Sequence, residues 1–143
     1  MIAIDTNVLL RYLLDDDRQQ SPKADRLVNG PQKVLITDIV LVETLWTLRG
    51  KKYNLDKTRL IDVIHQLFAE PNLCFEDGQT VWRALHDYRL ATPVKVGSKR
   101  KTADFPDALI INKAAYCTKL PETLKGVYTF DKAALMIDGA CEP

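Results

Sequence analysis

Four acidic residues, two at the ends of predicted strands and two in predicted helices, could together hold a divalent cation through their carboxylates. Asp5 follows a short apolar run that predicts a buried strand, and Asp131 follows a similar run near the C-terminus. Glu43 and Asp107 lie in predicted helices, Glu43 among mostly apolar neighbours and Asp107 near the helix start. Ligands of open parallel sheets bind beyond the carboxyl ends of the strands. The sequence therefore predicts that these four acids meet at one edge of a sheet.

Metal-assisted hydrolysis is the chemistry that such a group of carboxylates supports. Close carboxylates repel one another, and a divalent cation changes the sign of that interaction. Mg²⁺ prefers hard oxygen ligands and usually keeps several waters, one of which can attack a phosphoryl group. This chemistry needs no histidine base. His65 and His86 lie inside predicted amphipathic helices and are interpreted as structural residues.

Each acid also has a purely structural interpretation. Asp5 begins the triplet Asp-Thr-Asn and could cap a helix. Asp107 could be a first-turn acid that the helix dipole favours, and Asp131 could close an Asx-turn. Glu43 is harder to explain in this way, because burying an unpaired carboxylate among apolar neighbours is costly. That all four acids have purely structural roles at the same time is a weaker hypothesis than one shared site.

The elements that would position these acids alternate between strands and helices along the chain. Predicted strands cover residues 1–4, 34–37, 73–75, 127–130 and, at the end, 135–137. Predicted helices cover residues 7–14, 21–29, 38–49, 56–69, 77–90 and 106–118. Ser21 and Pro22 predict an N-cap followed by proline at the first helical position. Because the strands read as continuous apolar runs, the pattern is typical of a parallel sheet covered by helices on both faces.

Length and composition predict one globular domain over residues 1–143. The 20 basic and 19 acidic side chains nearly cancel, so net charge decides nothing about nucleic acid binding. The cysteines, Cys74, Cys117 and Cys141, are odd in number and show no CxxC spacing. They predict reduced thiols in a cytoplasmic protein. We expect no membrane span and no secretion signal, because every apolar run is far shorter than the ~18 residues of a span.

A basic segment precedes the helix of Asp107. Residues 91–103 carry Lys95, Lys99, Arg100 and Lys101, and we predict a mobile loop there. The segment has two interpretations, a phosphate-binding surface for RNA or an ordinary solvated loop. Arg11 and Tyr12, one to two turns after Asp5, are weaker candidates for the same surface.

The order and context of these motifs resemble the PIN-domain ribonucleases, and among them the VapC-type toxins of toxin–antitoxin pairs. The matching segments are Ile4-Asp5-Thr6-Asn7, Val42-Glu43, Asp107-Ala108-Leu109-Ile110 and Thr129-Phe130-Asp131. The resemblance implies a three-layer α/β/α sandwich with a central, mainly parallel sheet. It implies a Mg²⁺- or Mn²⁺-dependent endoribonuclease that cuts single-stranded RNA and leaves a 3′-hydroxyl and a 5′-phosphate. It further implies a homodimer and a cognate antitoxin that blocks the site.

Two departures from the family pattern leave roles open. Asp104 precedes Asp107 by three residues and could be a metal ligand, a helix N-cap or an acid that holds a bound water. Lys113 follows Asp107 by less than two turns, where it could approach a substrate phosphate or simply be solvated. Two other functions are also weighed, a PIN-like domain that binds RNA or protein without cutting, and a phosphohydrolase with an aspartyl nucleophile. Asn7 disfavours the second, because such enzymes commonly place another acid two residues after the first.

Overall fold

The computed structural model describes residues 1–117 and 124–143, which form two compact units, residues 1–78 and 79–143. The single domain over residues 1–143 stays a prediction. In the described ranges, no helix combines the length and the apolar character that crossing a membrane requires.

The first unit is built on a three-stranded parallel sheet. Its strands are β1 (Ile2–Ala3), β2 (Val34–Ile36) and β3 (Leu73–Phe75), in the order β1-β2-β3. Four helices connect and follow them: α1 (Thr6–Leu14), α2 (Ser21–Val28), α3 (Asp38–Arg49) and α4 (Lys57–Ala69). Each predicted helix and strand of this unit is present, with ends that differ by at most two residues.

Side chains at the ends of these helices explain where they begin. Asp5, Thr37 and Asp56 are the N-caps of α1, α3 and α4, and each accepts a hydrogen bond from the backbone N–H three residues later. The predicted cap of α2 is wrong by one residue. Gln20 is its N-cap and makes no capping bond with its side chain, whereas the buried Ser21 lies inside the first turn and accepts from the N–H of Asp17.

The core of the first unit lies between the sheet and its helices. Leu9, Val28, Ile36, Leu41 and Ile64 are fully buried. Their burial is the main favourable term in holding the helices against the sheet, at roughly 1.5–3 kcal/mol for a fully buried side chain of this size. The strand residues alternate little in polarity because the parallel sheet is covered.

Over residues 78–117 and 124–143, the structure shows two long helices and two separate strand pairs. Helix α5 (Gly78–Leu90) leads into the second unit, and α6 (Phe105–Cys117) follows a hairpin of β4 (Val94–Val96) and β5 (Lys99–Lys101). Strands β6 (Val127–Tyr128) and β7 (Ala140–Cys141) pair in parallel. The buried Asn112 of α6 joins the two helices, because its amide donates to Asp87 Oδ2 of α5 at 2.7 Å.

The basic segment is not the loop that the sequence analysis predicts. Residues 94–101 form an antiparallel hairpin in which Val96 pairs with Lys99 across the two-residue turn Gly97-Ser98. Gly97 has a φ of +62°, which glycine adopts at little cost and which two-residue hairpin turns require. The alternation Val-Lys-Val before this turn is the period of a strand. The four charges are typical of a solvated loop, whereas this alternation predicts a strand.

The predicted strand over residues 135–137 is also wrong. Ala134–Met136 is a short 3-10 helix, and the strand that pairs with β6 is β7, a few residues later. The carboxylate of Asp131 explains the difference, because it accepts the N–H groups of Ala133 and Ala134 and so starts a helical turn. The predicted end of the preceding helix at Thr118 lies outside the described residues.

Candidate active site

Asp5 lies directly beyond β1, two residues after the end of that strand. Its Oδ1 accepts the backbone N–H of Val8 at 2.9 Å, so the structural interpretation as a helix cap is correct. That bond uses one carboxylate oxygen and fixes the orientation of the side chain, which is exposed. Capping and metal binding are therefore compatible at this residue.

Glu43 lies close to the same end of the sheet, on α3. The Oγ1 of Thr6, the residue after Asp5, donates to Glu43 Oε2 at 2.5 Å. Glu43 is exposed, so the cost of burying it, which favoured a functional role in the sequence analysis, is absent. Its apolar neighbours Leu41, Leu45 and Leu48 lie on the buried side of the helix, and Glu43 does not.

Two residues that the sequence analysis did not single out position Glu43. Thr6 binds its carboxylate directly, and Glu76, just beyond β3, accepts the N–H of Asp38 at the start of α3 at 2.9 Å. A negative side chain at a helix N-terminus is stabilising, because it satisfies an otherwise unpaired N–H and complements the dipole. The position of Glu76 at a strand end was a signal equal to that of Asp5.

Asp104 and Asp107 lie at the start of α6 and hold each other. Asp104 Oδ1 accepts the N–H of Asp107 at 3.0 Å, and Asp107 Oδ2 accepts the N–H of Asp104 at 3.1 Å. This is the reciprocal arrangement of a capping box, with aspartate in both positions. Asp104 is thus a helix N-cap, one of the three roles left open for it.

Among the acids that the structure describes, Asp107 has the pKa that departs most from its ordinary value. Partial burial and the negative charges of Asp104 and Asp131 raise its pKa to about 6, although its bond from the Asp104 N–H favours the charged form. A raised carboxyl pKa of this kind means that ionised Asp107 is destabilised where it stands. A cation bound beside it would reverse that cost.

Asp131 also has the structural role considered for it. Its N–H donates to Thr129 Oγ1 at 3.0 Å, which explains the value of threonine two residues before the acid. Its Oδ1 accepts the N–H groups of Ala133 and Ala134, so its side chain closes an Asx-turn that leads into the 3-10 helix. Its charge nevertheless acts on Asp107, which places the two carboxylates in one electrostatic group with Asp104.

The donor chemistry of these residues fits a hard divalent cation. Asp5 and Glu43 in the first unit, and Asp104, Asp107 and Asp131 in the second, offer only carboxylate oxygens, the ligands that Mg²⁺ prefers. Among the residues that the structure describes, no three acidic, histidine or cysteine side chains converge as ligands within either unit. Mg²⁺ often binds through only one or two carboxylates and keeps several of its waters. Each acidic group therefore has enough carboxylates to take part in binding the ion.

The weaker candidates are engaged in local contacts. Arg11 forms an ion pair with Asp16 at 2.6 Å. Tyr12 donates to Glu70 at 3.0 Å, and burial together with that carboxylate raises the pKa of the tyrosine to about 12. His65 and His86 are exposed on α4 and α5, and Lys113 is partly buried on α6. Cys74 and Cys141 are free thiols.

Comparison with known protein families finds a match over most of the chain. The family model described as the PIN domain matches residues 2–132, a range that includes all five candidate acids. No curated protein sequence matches the chain. The match, together with the helices and parallel strands, confirms the predicted PIN-like α/β fold class. PIN domains are generally nucleases, so the fold is of a nuclease type. The chain belongs to the PIN domain family.

Proposed function

We propose that the chain is a divalent-metal-dependent endoribonuclease. The observation that carries this proposal is the partly buried Asp107, whose pKa is raised to about 6 by burial and by its two acidic neighbours Asp104 and Asp131. A protein gains nothing in stability from keeping such a group ionised. A cation-binding role accounts for the arrangement, because Mg²⁺ or Mn²⁺ would neutralise these charges.

The proposal assigns metal binding to the acidic group of each unit. Its support is the order Asp5, Glu43, Asp107 and Asp131 along a chain that matches the PIN domain across all of them. Asp104 is added because its carboxylate faces Asp107. The substrate is single-stranded RNA, cut to leave a 3′-hydroxyl and a 5′-phosphate, as the family resemblance implies.

Hydrogen bonds within the chain hold the candidate carboxylates in fixed orientations. When bound, the metal ion would supply an activated water and stabilise charge on the phosphoryl oxygens. Asp5 is oriented by the N–H of Val8, and Glu43 by the hydroxyl of Thr6, so neither carboxylate needs to reorganise to act as a ligand. The reciprocal bonds of Asp104 and Asp107 do the same at α6.

Cleavage of a labelled single-stranded RNA tests this function. We expect cutting in millimolar Mg²⁺, none in chelator, and a loss of at least about 100-fold in Asp5→Asn, because removing one preorganised electrostatic group commonly costs that much. Asp56→Asn is the matched control, since Asp56 caps α4 in the way that Asp5 caps α1. Cutting that survives both the chelator and Asp5→Asn would exclude the proposal.

The biological role proposed for this activity is that of a VapC-type toxin. The support is the resemblance of the four acidic motifs, and the role entails a cytoplasmic homodimer held inactive by a cognate antitoxin. Expression of the chain should arrest growth, and Asp5→Asn should abolish the arrest. Growth arrest that is equally strong with Asp5→Asn would contradict this role while leaving the nuclease activity to be judged by cleavage.

A further inference from the structure

The hairpin of residues 94–101, here called the basic hairpin, concentrates positive charge. It carries four cations and no acid, all four cations are exposed, and none forms an ion pair within the described residues. They are Lys95, Lys99, Arg100 and Lys101. The whole chain has a net charge of only +1, so this hairpin is a local excess and not a reflection of overall composition.

The strand register places two of these cations directly opposite each other. Lys95 pairs directly with Arg100, so two cations project from one face of the hairpin. Residues directly opposite in an antiparallel pair have Cβ atoms roughly 4.5–5.5 Å apart, and like charges in these positions are destabilising. A two-stranded hairpin is at best marginally stable by itself. A sequence selected only for folding would place an acid or a neutral residue at one of these positions.

The other face of the hairpin gives it an anchor. Val94 and Val96 are partly buried and share that face with Lys101 and Lys99, their cross-strand partners. At the base, Ala103 and Phe105 are buried, and Phe105 packs edge-to-face on Tyr88 with ring centroids 6.0 Å apart. Buried residues therefore hold the base of the hairpin in place, while its charged side chains remain exposed.

The base of the hairpin is also the start of the acidic group of the second unit. Only Thr102 and Ala103 separate Lys101 from Asp104, so the Cα atoms of Lys101 and Asp104 are at most about 11 Å apart. A polyanion bound along the hairpin would continue toward the carboxylates of α6. The cations attract the phosphates that the acids alone would repel.

We propose that the basic hairpin is an RNA-binding arm that grips the phosphate backbone of the substrate. This inference rests on the proposed function for its substrate class. Lysine and arginine contacts to phosphate position a nucleic acid and carry no sequence information, so the arm contributes affinity and not sequence choice. An acidic protein surface is the other polyanion that could meet these cations. The acidic group that directly follows the hairpin, with the metal-binding role proposed for it, favours RNA.

Binding measured without cleavage tests the arm. The probe is a fluorescein-labelled single-stranded RNA of about 20 nucleotides, titrated with the full chain in chelator and followed by anisotropy at several salt concentrations. The test variant replaces Lys95, Lys99, Arg100 and Lys101 by glutamine. The control variant makes the same change in charge at four other exposed cations, Arg18, Lys51, Lys52 and Arg59.

We expect the hairpin variant to bind at least about tenfold more weakly at low salt, and the control variant to change little. The slope of log affinity against log salt should fall by about 2.8 if each lost cation met one phosphate, at ~0.7 per contact for a single strand. Replacing the three lysines by arginine should keep the affinity, and thermal melting should show that every variant is folded.

An affinity and salt slope equal to those of the control would overturn the arm and leave an acidic protein as the partner of the hairpin. This failure is distinct from failure of the nuclease. A chain that cuts RNA in Mg²⁺ but binds without the hairpin cations refutes the arm alone. Hairpin-dependent binding without any cutting refutes the proposed activity alone.

Discussion

Asp104 and Asp107 each accept the backbone N–H of the other, at 3.0 and 3.1 Å, at the first turn of α6. The pair starts the helix and at the same time holds two carboxylates side by side near Asp131. Helix capping needs only an acceptor oxygen, whereas cation binding needs the charge. Substitutions that keep the oxygen and remove the charge can therefore separate the two roles.

Asp107→Asn should stabilise the metal-free protein at pH 7. The pKa of Asp107 in the folded state, about 6, lies above the unfolded value near 4, so the folded state binds more protons between these limits. Stability therefore falls as the pH rises through that window, and the cost is fully present at pH 7. Asparagine removes it, by about 1 kcal/mol once solvent screening is allowed for.

Urea unfolding of both proteins in chelator, from pH 4 to pH 8, measures this difference. The extra stability of Asp107→Asn over the wild type should shrink toward zero at pH 4, where the wild-type carboxyl is protonated in the folded state. Addition of Mg²⁺ should raise the melting temperature of the wild type more than that of Asp107→Asn, because a ligand of the native state stabilises by mass action. A variant less stable than the wild type at pH 7 would show that the charge of Asp107 is not a cost.

Asp104→Asn and Asp104→Ala should differ in stability and agree in activity. Asparagine keeps the acceptor for the Asp107 N–H, whereas alanine loses the cap and about 1 kcal/mol. Both should lose most of the RNA cleavage, because both remove the charge beside Asp107. Full activity in Asp104→Asn, with normal stability, would make Asp104 a cap and nothing more.

Thr6→Val should lower the cleavage rate through Glu43. The substitution removes the hydroxyl that binds Glu43 Oε2 and leaves that exposed carboxylate free to rotate. We expect a loss of about tenfold in kcat with little change in RNA affinity, and recovery in Thr6→Ser. Thr47→Val is the matched control, because the Thr47 hydroxyl donates to the backbone carbonyl of Glu43 and not to its carboxylate. Equal losses in the two variants would point to a general effect on α3.

Thr44→Val should stabilise the protein by about 1 kcal/mol. Thr44 is fully buried on α3, and its hydroxyl has no hydrogen-bond partner among the described residues. An unpaired buried hydroxyl costs free energy that an apolar group of the same shape does not. The urea unfolding midpoints of the wild type and of Thr44→Val report the sign directly, and a variant less stable than the wild type would contradict the prediction.

The sequence is most informative where one local rule decides the structure. Helix α3 has the predicted bounds, because Thr37 caps one end and Gly50 follows the other. The basic hairpin differs from the predicted loop. The four charges indicate a solvated loop, whereas the alternating valines and the turn Gly97-Ser98 are the features that form the hairpin. The strand expected over residues 135–137 failed because the side chain of Asp131 satisfies two backbone donors and starts a helical turn.

In the candidate site, too, local features follow from the sequence, whereas contacts between distant residues do not. The positions of Asp5 and Asp131 at strand ends and of Asp107 near a helix start follow from the chain order, and the backbone bonds that Asp5 and Asp131 accept follow from local chemistry. The exposure of Glu43 and its bond to Thr6 depend on how α1 and α3 pack, across 37 residues of sequence. No periodicity in the sequence encodes that contact, so only the folded structure reveals Thr6 as a positioning residue.

A circular single-stranded RNA gives the most direct measurement of the central claim, since only an internal cut can linearise it. Incubated with the protein in millimolar Mg²⁺, the circle should become a linear product with a 5′-phosphate. Chelator or Asp5→Asn should leave the circle intact, and Asp56→Asn should cut as the wild type does. A circle that stays intact although the protein binds it, or that opens equally with Asp5→Asn in chelator, would contradict a metal-dependent endoribonuclease.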